Sequence, residues 1–320
     1  MSENDSKTQN GGEGKGEAKG SLPAQQSQSE PENIWGDPIT KLKPEAHVLL
    51  VHFAKIPEEE IIPHVLATRE KAWKVCPYGC IGKFLFVDPT IQNHSYYKPV
   101  LERTKKSNGE EGDMILDLGC GFGQNMRQLV LDGVPRDRVF GADISEDLIN
   151  CGYDYFKDGN ADTRFMSFIG DLLKWGSGEE KPSAYDMAKE QFDIIYTAIF
   201  YHLWSYDVQK SACIATVKLL KPKAGSTVFG WQLGAEPARE VVRGIDERRK
   251  EHGVMFRHDE GSWEKLWREV GKETGTEWRV EADFHVPEMY KEHISVKGRD
   301  AEGKEGESRG GILWYCVTRL

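Results

Sequence analysis

Hydrophobic positions along the chain fall into two regimes. Between residues 44 and 108 they follow a helical period, with Val65, Leu66, Arg69, Ala72 and Trp73 recurring at that spacing. Pro57 and the acids Glu58, Glu59 and Glu60 form a helix start ahead of them. The cluster Cys76-Pro77-Tyr78-Gly79-Cys80 ends the helix. From residue 113 the pattern changes. Short apolar runs at Met114–Leu118, Val139–Ala142, Phe165–Ile169, Phe192–Ala198 and Thr227–Trp231 alternate with helical stretches. That alternation predicts repeated βα units and a mostly parallel sheet. The stretch between Leu173 and Glu190 is polar and peripheral, residues 235–280 read as helical decoration, and Gly311–Val317 reads as a final apolar strand. The expected fold is therefore α/β and Rossmann-like. An N-terminal helical lid spans 33–108, and the sheet domain spans 109–320 with its helical insertion before the last strand.

Composition changes the picture at the ends and at the surface. Residues 1–32 hold almost no large apolar side chain and read as a disordered tail. Lys106 to Gly112 reads as a linker. A net charge of -10 over 320 residues argues against a nucleic-acid partner, which would need a basic face. No run of 18 apolar residues predicts a membrane span, and no apolar leader follows Met1. Six scattered cysteines read as thiols of a reducing compartment, so a cytoplasmic protein is expected. Cys76 and Cys80 lack a second Cys or His pair, so no metal site is expected.

The chemistry starts at Ile115-Leu116-Asp117-Leu118-Gly119-Cys120-Gly121-Phe122-Gly123-Gln124-Asn125. A strand, a tight glycine turn and a helix compose the first βα unit. The spacing Asp117, Gly119, Gly121, Gly123 departs from the G-x-G-x-x-G of dinucleotide binders. An acid two residues before the first glycine would repel a pyrophosphate and suits an ammonium group. S-adenosylmethionine carries one and has no phosphate. Asp143 ends the second strand, 24 residues after Gly119, where a carboxylate can accept both ribose hydroxyls. Asp171 ends the third, placed for the adenine amino group with Leu172 on the ring. Cys120, Ile144, Gln124 and Asn125 complete the candidate cofactor set, the last two either meeting the methionine carboxylate or capping the helix. The alternative for the acids is that they cap the helices that follow them, and it weighs most for Asp171.

On these residues the chain resembles the class I S-adenosylmethionine-dependent methyltransferases over about 113–235 and the last strand. A closer likeness rests on Cys76–Cys80, the glycine loop, Leu129–Pro135, Tyr201-His202-Leu203-Trp204, Trp231-Gln232-Leu233-Gly234, Phe256-Arg257-His258 and Leu266–Trp278. There the chain is similar to the methyltransferases of fungal meroterpenoid pathways such as those of austinol, terretonin and andrastin. Gly121 stands where some relatives carry cysteine, and glycine is the commoner residue in the wider superfamily. The resemblance implies methylation of a small polyketide-terpenoid acid, with S-adenosylmethionine as cofactor and a methyl ester as product. A small-molecule partner, in the first place a carboxylic acid, is expected, and a homodimer stays open. The readings kept beside it are a non-catalytic S-adenosylmethionine-binding regulator, a protein methyltransferase and a different nucleophile.

Methyl transfer from a sulfonium needs nucleophile, carbon and sulfur in line, and orientation can supply about 7–11 kcal/mol of the barrier. A carboxylate is ionised near neutral pH and needs no base, whereas a phenol or alcohol needs one. His202, after the fourth strand, is the candidate for orientation or base, with a packed histidine as the equal alternative. Arg257 is the candidate clamp for a substrate carboxylate. Its alternative is a solvated helix face shared with Arg248, Arg249 and Lys250.

Overall fold

The computed structural model describes residues 37–105, 111–242, 253–286, 295–300 and 303–320. The tail at 1–32, most of the 106–112 linker and the basic run at 248–250 lie outside them.

Helices α1 (Pro44–Val48), α2 (Ile61–Val75), α3 (Gly79–Gly82) and α4 (Tyr97–Thr104) precede the sheet. Pro57 stands just ahead of the acidic turn Glu58–Glu60 that leads into α2, as the sequence predicts. The βα units then run β1 (Ile115–Leu118), α5 (Gln124–Leu131), β2 (Val139–Asp143), α6 (Glu146–Phe156), β3 (Ser167–Ile169), α7 (Leu172–Ser177), α8 (Tyr185–Ala188), β4 (Ile194–Ala198), α9 (Tyr206–Leu219) and β5 (Thr227–Glu236). All pairings from β3 to β5 are parallel, in the order β3-β2-β1-β4-β5. The order reverses between β1 and β4. Ligands of open α/β sheets bind at such a switch point, outside the carboxyl ends of the strands.

The region read as helical decoration differs. It contains β6 (Arg239–Val242) and β7 (Val254–Arg257), paired antiparallel, ahead of helix α10 (Glu260–Thr274). A capping box fixes where α10 starts: Asp259 accepts from Ser262 N–H and Ser262 Oγ accepts from Asp259 N–H. Gly275, in the left-handed region at φ +67°, ends it. Trp278 opens a strand instead of extending the helix. β8 (Trp278–His285) is followed by β9 (Ser295–Arg299) and the long β10 (Glu305–Arg319). β10 runs antiparallel to β5 and carries β8 along its second half and β9 along its first.

Both faces of the sheet are covered. On one, Leu116, Leu118, Ile195, Val228, Leu313 and Tyr315 pack with Trp263 and Trp267 of α10. On the other, Ile115, Ile194, Tyr196 and Phe229 pack with Met126 and Leu129 of α5. A third apolar cluster belongs to the N-terminal helices. It closes on Phe122 of the glycine loop and on Leu148, Tyr155 and Phe156 of α6. The N-terminal helices thus pack against the glycine loop and α6.

Candidate functional site

The three glycines of the loop sit in the left-handed region, with φ +78° at Gly119, +53° at Gly121 and +70° at Gly123. A side chain at each would be strained, and at Gly119 a Cβ would also come within 2.6 Å of the Phe200 ring. Phe200 follows β4, so the loops of the two strands at the switch point touch. Ile199 before it holds φ +52°, costly for a β-branched residue, and its N–H donates to Trp231 O at 2.9 Å. That strain turns the chain from β4 into the short helical turn Tyr201–Leu203.

Asp117 and Asp143 converge on the loop. Asp143 Oδ2 accepts from Gly121 N–H at 2.9 Å and Oδ1 from Ser145 N–H at 2.9 Å. Burial still holds its carboxyl above the usual range, against those backbone hydrogen bonds. Asp117 is 2% exposed, and its Oδ2 has no hydrogen-bond partner among the described residues. Burial first, then the neighbouring Asp143 carboxylate, pushes its carboxyl up to about 7, against a hydrogen bond from Asn125. A buried, unpaired carboxylate oxygen calls for a cation, because an uncompensated buried charge is among the costliest features a fold can carry. An ammonium group meets that demand, so the residues present fit S-adenosylmethionine. At the ends of β2 and β3, Ile144 and Ile169 are 62% and 37% exposed, an apolar edge open beside Asp143.

Other members of the predicted set stand differently. Asp171 caps α7, accepting from Leu173 N–H at 2.9 Å and Lys174 N–H at 3.4 Å, which is the alternative reading given for it. Leu172 is buried in the core beside Trp175 and Tyr185, so Ile169 is the aliphatic side chain left facing outward near Asp171. Asn125 Oδ1 accepts from Thr90 N–H at 2.8 Å and Ile91 N–H at 3.1 Å. Its carbonyl is therefore engaged with the N-terminal segment. Gln124 opens α5 with its Oε1 buried and unpaired among the described residues. Cys120 is buried, and its thiol is pushed well up by burial, with Asp143 and Asp117 adding to the effect.

His202 is buried and Arg257 is half-buried at the end of β7, a strand position in place of the helix face considered from the sequence. Phe256 N–H donates to Trp204 O at 2.8 Å, and Gln209 Nε2 bridges Trp204 O and Phe256 O. The segments carrying His202 and Arg257 therefore adjoin. Gln232 lies where β5 runs on past β4, whose last residue, Ala198, pairs with Trp231. It is fully buried, with neither amide atom paired among the described residues. Sequence reasoning missed Phe200 and Thr90. Thr90 Oγ1 accepts from Trp231 Nε1 at 3.1 Å and meets Tyr196 Oη at 3.0 Å. No motif marks either residue; what sets them apart is their position in space beside the neighbours of the glycine loop.

The sheet order and this loop define a class I S-adenosylmethionine-dependent methyltransferase. Comparison with known proteins agrees. Residues 35–87 match the meroterpenoid methyltransferase N-terminal domain, and residues 115–223 match the methyltransferase domain model. The O-methyltransferase atr3 of Stereocaulon alpinum is 34% identical over 84% of this chain and 72% of its own length. The methyltransferase ausD of Penicillium brasilianum is 32% identical over 82% of this chain and 89% of its own, and trt5 of Aspergillus terreus 30% over the same shares. The chain belongs to this family of fungal meroterpenoid-pathway methyltransferases.

Proposed function

We propose that the protein methylates the carboxylate of a small polyketide-terpenoid acid to give a methyl ester. The observation that supports the reading is the N-terminal region: residues 35–87 match the meroterpenoid methyltransferase N-terminal domain, Phe86 packs on Phe122 of the glycine loop, and Thr90 and Ile91 just beyond bond Asn125 at the start of α5. S-adenosylmethionine, when bound, supplies an electrophilic methyl group on a sulfonium. Asp117 would hold its ammonium, Asp143 its ribose hydroxyls, and Ile144 with Ile169 would flank its adenine. Gly119 and Gly121 let the backbone come close. Gln124, Asp171 and Cys120 complete the wall.

On the acceptor side, Arg257 is assigned to the substrate carboxylate and His202 to its orientation. Gln232 is assigned to an oxygen of the substrate, because a buried amide with no partner costs about 1–3 kcal/mol and a ligand group would offset it. A carboxylate nucleophile requires no proton removal, so His202 aims and desolvates and does not act as a base. The domain boundaries that go with this reading are a cover at 33–108 and a catalytic domain at 109–320. A cytoplasmic location is proposed from the cysteine pattern; among the described residues no helix is long and apolar enough to cross a membrane.

The test is incubation with S-adenosylmethionine and paired substrates, aromatic polyketide-type acids and the same compounds lacking the carboxyl. Products that gain one methyl and lose it on mild saponification are expected from the acids alone. A methylated product from the compounds without a carboxyl would move the chemistry to a hydroxyl and make His202 the base.

A further inference from the structure

The glycine loop presents one side to the crevice, and its other side must be held. The Phe122 carbonyl points inward. A Cβ on Gly152 would lie 2.2 Å from that oxygen, so α6 crosses the loop backbone to backbone. The same oxygen accepts from Arg127 Nη1 at 2.9 Å, and Gly123 O accepts from that nitrogen at 3.2 Å. The other edge of the guanidinium faces Asp158, with Nε and Nη2 donating at 3.1 and 2.8 Å. The two side chains are 3% and 8% exposed. The rings of Tyr153, Phe156 and Phe165 lie 5.1, 4.7 and 5.1 Å from Arg127 Cζ.

Such a pair is a weak device for stability alone, since apolar side chains of similar volume often replace a buried ion pair at no loss. Its geometry does something apolar side chains cannot. A planar fork with five donors takes a carboxylate on one edge and reaches two backbone carbonyls with the other. Those carbonyls belong to the two residues just before Gln124, where α5 starts. The preceding residue, Gly121, gives its N–H to Asp143. The orientation of the 121–124 backbone therefore sets the start of α5 and the aim of the Asp143 carboxylate together.

We propose that Arg127, held by Asp158, is a positioning residue of the cofactor site: it fixes the glycine loop from behind and acts on cofactor affinity without touching the cofactor. The proposal rests on the assignment of Asp143 and the loop to S-adenosylmethionine. Without the guanidinium the buried Phe122 carbonyl loses its donor. The peptide then turns to find another partner, and the loop no longer presents a single shape to the ligand.

The experiment compares S-adenosylhomocysteine affinity by calorimetry with melting temperature. The double variant Arg127→Met with Asp158→Leu removes both buried charges, and Arg136, whose Nη1 lies 3.6 Å from Asp158 Oδ2, keeps its bond to Thr163 O and its place over the Phe53 and Phe165 rings. The double variant is expected to melt within a few degrees of the wild type and to bind S-adenosylhomocysteine at least ten times more weakly. Arg127→Lys keeps a charge for Asp158 but cannot serve both edges, and an affinity loss of three- to tenfold is expected from it. Should the double variant fail to fold, the lysine variant decides. Affinity within twofold of wild type in either folded variant overturns the proposal and leaves the pair a matter of packing. Wild-type protein that does not bind S-adenosylhomocysteine would instead overturn the site assignment itself, a result visible before any variant is made.

Discussion

The carboxyl of Asp117 is the most informative group to perturb, because its effects on stability and on binding carry opposite signs. In the ligand-free protein it titrates at about 7 in place of 3.8. The folded state keeps the proton that the unfolded chain releases, so stability falls as pH rises from 3.8 to 7 and the full cost is present above 7. Three pH units at about 1.4 kcal/mol each make that cost about 4 kcal/mol. Asp117→Asn removes the ionisation. The variant should melt higher than wild type at pH 8, and the gain should shrink steadily toward pH 4. The same variant loses a charge-assisted bond to the cofactor ammonium, worth about 1.5–3 kcal/mol, so S-adenosylmethionine should bind ten- to a hundredfold more weakly. Wild-type binding should itself depend on pH. At pH 6 about ten in eleven molecules hold the proton, against one in eleven at pH 8, which makes affinity about tenfold lower at pH 6. Calorimetry in buffers of different ionisation enthalpy would count the proton released, close to one half per cofactor at pH 7. Affinity that stays flat from pH 6 to 8, together with an Asn variant that binds as the wild type does, would refute the placement of the ammonium on Asp117.

Asp143→Ala should weaken S-adenosylhomocysteine binding about a hundredfold, because two ribose hydroxyls lose one charged acceptor; calorimetry reads it, and unchanged affinity removes the ribose assignment. The same variant should also melt slightly lower, since Gly121 and Ser145 N–H groups lose their acceptor. His202→Gln should cost less than tenfold in kcat/KM on a carboxylic acid with no new pH dependence, whereas a loss of about a hundredfold or more with a vanished acid limb would identify a general base. Gln232→Leu should raise Tm in the ligand-free protein and lower kcat/KM on the methyl acceptor, the trade expected where a buried polar group is kept for a ligand; a fall in both would make it structural.

What could be read from the sequence followed the reach of each constraint. The glycine loop was legible because three left-handed turns within five residues leave almost no choice but glycine. Strands β1 to β4 were legible because each is short, apolar and followed by a helical stretch, whereas β5 runs on for ten residues and is followed by β6. Residues 235–257 were not. Arg239-Glu240-Val241-Val242 and Val254–Arg257 become strands by pairing with each other and, through β9, with the long β10, and no local period announces partners that far away. β8 alternates cleanly from Trp278 to His285, yet the helical run before it invites its extension until Gly275 is recognised as the stop. Asp171 shows the limit of a residue type: a strand-end acid before a helix suits a ligand and a cap equally, and only the distances to Leu173 and Lys174 reveal the cap. Arg127 reads as an ordinary helix-surface charge. Its burial depends on Asp158 and three rings from the next βα unit, which periodicity cannot supply.

The N-terminal region packs against the glycine loop and is not an appendage to the sheet. Asn125 gives its carbonyl to two backbone N–H groups of that region, while a hydrogen bond from it also steadies Asp117. Thr90, in the same short segment, receives Trp231 Nε1 from the substrate side of β5 and meets Tyr196 of β4. The Phe86 ring packs on Phe122 of the glycine loop, with centroids 4.6 Å apart. Residues 86–91 therefore touch the loop, the acid's hydrogen-bond partner and the strands β4 and β5. A small sheet with an open switch point could bind a cofactor by its loop alone, but its crevice would stay wet. Packing the N-terminal helices there covers Phe122 of the loop and one face of α6 with apolar side chains. Asp117 is meanwhile a buried acid whose Oδ2 has no partner among the described residues, and in the ligand-free protein the proton it keeps up to about pH 7 neutralises it. Burial and the Asp143 carboxylate raise that pKa, and the Asn125 amide, itself held by Thr90 and Ile91 of the N-terminal region, opposes the rise.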